Sequence, residues 1–118
     1  MKRVLIIDDS ALMRRLMRKV LKNNGFEVVG EANDGVLGVE KYRELLPDIV
    51  TLDLIMDRMS GIGALERILE INPDANVFIV SSMGQEIIVR EAISRGAKSF
   101  ILKPFTDKQV LDEFSKVL

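Results

Sequence analysis

The chain has 118 residues, nearly half of them apolar, and a formal net charge of −1, which suits one compact domain and gives no reason to expect nucleic acid or a membrane surface as a partner. It contains no cysteine and no histidine, which excludes disulfides, thiol chemistry, a His-based triad or zinc site, and an imidazole pH switch. No apolar stretch approaches the ~20 residues that cross a bilayer, and Asp8 and Asp9 break the apolar run after Met1-Lys2-Arg3 too early for a signal peptide, so a cytoplasmic protein is expected.

Short apolar runs alternate with helical patterns along the whole chain. Val4, Leu5, Ile6 and Ile7 form the first run. Leu12, Met13, Leu16, Met17, Val20 and Leu21 follow at helical spacing, with Gly25 placed to cap the C-terminal end. Glu27 to Ala32 mixes Val28 and Val29 with Glu27, Gly30 and Glu31, the composition of an edge strand. Val36, Leu37, Val39, Tyr42, Leu45 and Leu46 predict a second helix, ended by Pro47. Ile49, Val50 and Leu52 surround Thr51 in the third strand, and Ile62, Leu65, Ile68 and Leu69 predict a third helix with Pro73 beyond it. Val77 to Val80 form the fourth strand, and Ile88, Val89, Ala92 and Ile93 the fourth helix, closed by Gly96. Phe100, Ile101 and Leu102 form a short fifth strand. The last helix opens on a capping box, Thr106 with Gln109, and carries Val110, Leu111, Phe114, Val117 and Leu118.

The β-branched runs suit strands covered on both faces. Five strand–helix pairs with right-handed crossovers imply a doubly wound α/β fold, a parallel sheet with helices on both sides. Ligands of such folds bind beyond the carboxyl ends of the strands. No linker, low-complexity tract or second domain is visible, so residues 1–118 read as one unit. Leu118 ends the last helix without a linker, which favours a stand-alone protein.

The polar residues at the strand ends carry the chemistry. Asp8 and Asp9 close the first strand, Asp53 the third, Ser81 the fourth and Lys103 the fifth. Brought to one rim, three carboxylates repel one another and resist ionising together. A divalent cation resolves that conflict, and an all-oxygen donor set selects Mg²⁺ or a similarly hard ion. A lysine and a hydroxyl aimed at the same spot add a charge and a hydrogen bond for an anion. A carboxylate nucleophile beside Mg²⁺ and lysine is the equipment for phosphoryl transfer to aspartate. Taken singly, each of these residues is more often a cap or a turn. Five of them at the ends of four strands form a much less probable accident. Any phosphohistidine in the chemistry must come from another protein.

These pieces resemble the response-regulator receiver family, and within it the chemotaxis regulators. The resemblance runs from Lys2 to the C-terminus and rests on Val4-Leu-Ile-Ile-Asp8-Asp9-Ser10, Pro47-Asp48-Ile-Val-Thr-Leu-Asp53, Val80-Ser81-Ser82, Gly96-Ala97 and Lys103-Pro104-Phe105. It implies a flavodoxin-like (βα)5 fold with strand order 2-1-3-4-5. It implies that Asp53 is the phosphoacceptor and that Asp9, Asp53 and the Ile55 carbonyl ligate Mg²⁺, with Asp8 acting through water. Ser81 is then expected to bond a phosphoryl oxygen, Lys103 to pair with the phosphoryl group, and Phe100 to be an aromatic switch. Without the resemblance, Phe100 would read as a core aromatic. The Lys103–Pro104 bond is expected to be cis.

The partners implied are a histidine kinase or phosphotransfer domain and a downstream target such as the flagellar motor switch. A monomer is expected that catalyses only its own phosphorylation and dephosphorylation. The output face would be the fourth helix, fifth strand and last helix. The chain departs from the family at Asp57, where proline is usual, and at Ser60, where an acid or amide is usual. Asp57 either points into water or joins the surroundings of the metal. Ile55 and Met83 stand where the family flanks the hydrolytic water, which predicts slow self-dephosphorylation. Arg14, Arg15, Arg18, Lys19 and Lys22 are either a solvated face of the first helix or a steering surface for the phosphodonor. Gly38 and Gly63 interrupt helical patterns without an evident reason. Three rival readings remain: the receiver of a longer transcriptional regulator, an unphosphorylated pseudo-receiver, and an enzyme on a similar fold, which the lack of a glycine-rich phosphate loop disfavours.

Overall fold

The computed structural model describes residues 1–56 and 58–118. Five strands alternate with five helices: β1 Arg3–Ile7, α1 Ala11–Asn23, β2 Glu27–Ala32, α2 Gly35–Leu45, β3 Ile49–Asp53, α3 Gly61–Ile71, β4 Val77–Ser81, α4 Glu86–Ser94, β5 Ser99–Leu102 and α5 Asp107–Ser115. All strand pairs are parallel, and the order β2-β1-β3-β4-β5 is the one expected. Alternation along each strand divides the core in two. Val4 and Ile6 of β1, Phe78 and Val80 of β4 and Ile101 of β5 face α1 and α5, packing on Met17, Val20, Leu21, Val110 and Phe114. Leu5 and Ile7, Val50 and Leu52, Val77 and Ile79 face α2, α3 and α4, packing on Val39, Tyr42, Leu65, Ile68, Val89 and Ala92. Phe114 meets Phe26 edge-on at 5.3 Å between ring centroids and Phe78 at 4.7 Å, a geometry that adds to simple area burial.

Sequence punctuation sits where the backbone needs it. Ser10, Asp34, Ser60 and Thr106 each accept a backbone N–H and cap α1, α2, α3 and α5. The Thr106–Gln109 capping box is present in full. Gly25 and Gly96 turn the chain at φ +83° and +121°, beyond the ends of α1 and α4.

Five expectations need correction. Val117 and Leu118 lie beyond α5, which ends at Ser115, and Leu118 is exposed. β5 is not covered on both faces: Ile101 is buried, but Phe100 and Leu102 are 46% and 41% exposed, because β5 is the sheet edge opposite β2. Leu12 and Leu16 belong to the helical period of α1 yet lie in solvent, since only Met17, Val20 and Leu21 reach the sheet. On α4, Ile93 is likewise solvent-exposed. Leu46 is not part of α2: it ends the helix in the left-handed conformation, φ +44°, with an exposed side chain. Gly38, by contrast, gains a reason. A Cβ there would stand 2.6 Å from Ile7 Cδ1, so glycine lets α2 lie close on β1.

Candidate functional site

Strand register builds the site. Ile7 is level with Leu52, Asp53 with Val80, and Ser81 with Leu102, so Asp8, Asp53, Ser81 and Lys103 stand side by side along one rim. The ladder continues past the strand ends, with Asp8 N–H donating to Ala32 O at 3.0 Å and Lys103 N–H to Ser81 O at 2.6 Å. Asp8, Asp53 and Ser81 are all buried, whereas Asp9 is exposed. Carboxylate oxygens of Asp8, Asp9 and Asp53 lie within 4.8 Å of one another. Lys103 Nζ reaches into the group, 2.9 Å from Asp8 Oδ2 and 3.7 Å from Asp53 Oδ2. The Lys103–Pro104 peptide bond is cis.

The electrostatics follow from burial. Desolvation is the largest influence on Asp53 and pushes its pKa up from 3.8 to about 6. The Lys103 ammonium and the Ile55 N–H, which donates to Asp53 Oδ1 at 3.4 Å, pull it down, while Asp8 and Asp9 push it up. One lysine therefore offsets only part of the negative charge gathered here. The all-oxygen donor set fits a hard divalent cation such as Mg²⁺, which would supply the missing counter-charge. Among the described residues this is the one acidic cluster of that kind.

The remaining candidates are placed as follows. The side chain of Ile55 is 53% exposed at the start of the loop after β3, and Met83 is 80% exposed after β4. Phe100 points outward on β5. Behind it, a cavity of ≈ 370 Å³ is lined by Ser81, Met83, Val89, Arg90, Phe100 and Leu102 among others. Ser60, in place of the usual acid or amide, caps α3 by accepting from Gly63 N–H at 3.1 Å. Asp57 lies outside the described residues. The basic residues of α1 are not a uniform solvated face. Arg14 and Arg18 both pair with Glu31 of β2, and Arg14 Nη1 donates to Asp8 O at 2.7 Å. Arg15, Lys19 and Lys22 are exposed.

Sequence reasoning missed the backbone supports of the site. A Cβ on Gly61 would clash with Leu54 Cα and stand 2.5 Å from Asp53 O, so only glycine lets α3 begin directly behind the acidic residue. Asp34 and Gly35 were also missed, although Asp-Gly before an apolar helical pattern is an N-cap signal.

Known proteins resemble this chain over nearly its whole length. A family model described as the response regulator receiver domain matches residues 4–115. The chain is 49% identical to the chemotaxis protein CheY of Thermotoga maritima over 116 residues, 98% of this chain and 97% of that protein. It is 48% identical to CheY of Bacillus subtilis, with the same coverage. Among solved structures, a CheX–CheY–BeF3–Mg²⁺ complex from Borrelia burgdorferi contains a chain 36% identical, with TM-score 0.93, covering 98% of this chain and 88% of that one.

Proposed function

The chain belongs to the response-regulator receiver family, and on that premise we propose that it is a phosphorylation-controlled switch with Asp53 as phosphoacceptor. The observation that carries this reading is the gathering of Asp8, Asp9 and Asp53 within 4.8 Å around a lysine ammonium. Asp8, Asp9, Asp53 and the Ile55 backbone are the residues that would hold Mg²⁺. Held there, Mg²⁺ would neutralise carboxylate and phosphoryl charge brought together in one pocket.

The donor is a phosphohistidine of a histidine kinase or phosphotransfer domain. Asp53, with a pKa near 6, is ionised and nucleophilic at neutral pH. Its carboxylate oxygen attacks phosphorus in line; the O–P bond forms as the P–N bond breaks, and the electron pair leaves with the imidazole. Little acid–base help is needed for such a leaving group, so positioning and charge dominate. Lys103 transfers its attention from Asp8 and Asp53 to the phosphoryl oxygens, and the Ser81 hydroxyl donates to one of them.

Phosphorylation adds roughly −1.5 to −2 charges at neutral pH. Drawing Ser81 toward that charge opens the cavity behind Phe100, whose ring turns inward and shifts an existing equilibrium of the α4–β5–α5 face. The output is altered partner binding and no released product. The similarity to proteins named chemotaxis protein CheY supports chemotaxis as the pathway, and within that pathway we propose a flagellar motor switch protein as the target. We place the protein in the cytoplasm as a monomer. Among the described residues, no helix is long and apolar enough to cross a membrane.

The test is incubation with acetyl phosphate and Mg²⁺, read by intact mass. Wild type gains one phosphoryl group and Asp53→Asn gains none; equal gain in both, or none in wild type, overturns the assignment. A pull-down on flagellar switch proteins with and without phosphorylation then separates chemotaxis from other pathways.

A further inference from the structure

Contacts from two sides hold Leu54, Arg58 and Met59, described residues of the loop that leaves Asp53. On one side, Gly61 N–H donates to Leu54 O at 2.9 Å. On the other stands the turn from β2 into α2. Asp34 divides its carboxylate between two tasks: Oδ1 accepts from Leu37 N–H at 2.8 Å and caps α2, while Oδ2 accepts from Arg58 Nη1 at 3.2 Å. Gly35 N–H donates to the carbonyl of Arg58 at 3.0 Å. A Cβ on Gly35 would stand 2.7 Å from the carbonyl oxygen of Met59, which itself holds φ +59°. Gly35 opens α2, where alanine is the better helix former. Its glycine is explained by the close approach of the loop and not by the helix.

We infer that Asp34 and Gly35 are positioning residues for the loop after Asp53 and set the affinity of the acidic pocket for its divalent cation. This rests on the reading of Asp8, Asp9, Asp53 and the Ile55 backbone as the metal site, and none of Asp34, Gly35 and Arg58 belongs to that set. The physical reason is entropic. A loop whose backbone must be ordered when the ion binds lowers affinity, whereas one already held does not. Groups that orient ligands from outside alter metal affinity without touching the ion.

The test is calorimetric Mg²⁺ titration of the full chain as wild type, Gly35→Ala, Arg58→Ala and Arg58→Lys. Gly35→Ala, which forces the Met59 carbonyl away, weakens affinity about tenfold. Arg58→Ala removes a largely exposed ion pair and weakens it about threefold, and Arg58→Lys restores most of the loss. In phosphorylation by acetyl phosphate, the half-saturating Mg²⁺ concentration rises by the same factors, while the rate at saturating Mg²⁺ stays within about twofold of wild type. A merely structural role would not produce that split. Wild-type Mg²⁺ affinity in both alanine variants overturns the inference, as does a fall in maximal rate with unchanged half-saturation. If Gly35→Ala does not fold, Arg58→Ala and its lysine rescue decide alone. Unchanged variants of a wild type that binds Mg²⁺ and is phosphorylated sink only the positioning role. A wild type that binds no Mg²⁺ sinks the functional reading with it.

Discussion

Asp53→Asn makes the domain more stable in the absence of metal, and does so only above acidic pH. Burial and the neighbouring carboxylates raise the Asp53 pKa from 3.8 to about 6, against the pull of Lys103. A carboxylate whose folded pKa lies above its unfolded one costs stability when ionised. The folded state holds the proton more tightly, so stability falls as pH rises from about 4 to about 6 and the full penalty persists above that. A rise from 3.8 to about 6 corresponds to roughly 3 kcal/mol, and relaxation of the site and water penetration reduce this to about 2 kcal/mol. The isosteric amide removes the penalty. Melts followed by circular dichroism in EDTA should show the Asn variant about 6–10 °C above wild type at neutral pH. Near pH 3 the two should coincide, because the wild-type carboxyl is then protonated in the folded state and largely so in the unfolded chain. Adding Mg²⁺ to about ten times its Kd should return about 1.4 kcal/mol to wild type and less to the variant. An equal difference at both pH values, or a less stable Asn variant at neutral pH, would refute the argument from buried charge.

Removal of Lys103 as methionine leaves Asp8 and Asp53 without their cation; urea unfolding in EDTA should show a loss of roughly 2 kcal/mol, and phosphorylation by acetyl phosphate should fall sharply. Ile55 and Met83 are exposed beside the pocket, and replacing either by a polar residue should shorten the aspartyl-phosphate half-life several-fold, as read by loss of the mass increment. Reversing Arg15 and Lys19, which are exposed while Arg14 and Arg18 are engaged by Glu31, should slow transfer from a phosphohistidine protein but not from acetyl phosphate; equal slowing with both donors would defeat a steering role. Thr106→Ala removes the α5 capping box and should cost about 1 kcal/mol in chemical denaturation without altering Mg²⁺ binding.

The strands, helices and rim residues were legible because local rules carried them. Parallel strands buried on both faces need long apolar runs, and Val4 to Ile7 and Val77 to Val80 supply them. Thr106 with Gln109 marks a helix start through side chains that satisfy backbone donors within one turn. The errors in burial share a cause. Leu12, Leu16, Phe100 and Leu102 are apolar residues in correct local patterns, but whether an apolar side chain is covered depends on which elements pack beside it. The sheet order leaves β5 with one neighbour.

The supports of the site were hidden for the same reason. Glycines 35, 38 and 61 look like weak points in helical segments, since propensity registers only what glycine does to its own helix. Their purpose appears when Met59, Ile7 and Asp53 are brought against them from elsewhere in the chain.

By itself, the sequence determined the period of every element, the parallel doubly wound sheet, and the identity of the polar side chains at the strand ends, because each follows from residue spacing and short-range chemistry. Only the tertiary structure decided that three carboxylates stand within 4.8 Å, that Lys103 lies nearer Asp8 than Asp53, and that Asp34 reaches Arg58. Those facts depend on strand register and loop packing. Desolvation and Coulomb forces act through distances in space, which spacing along a chain does not contain.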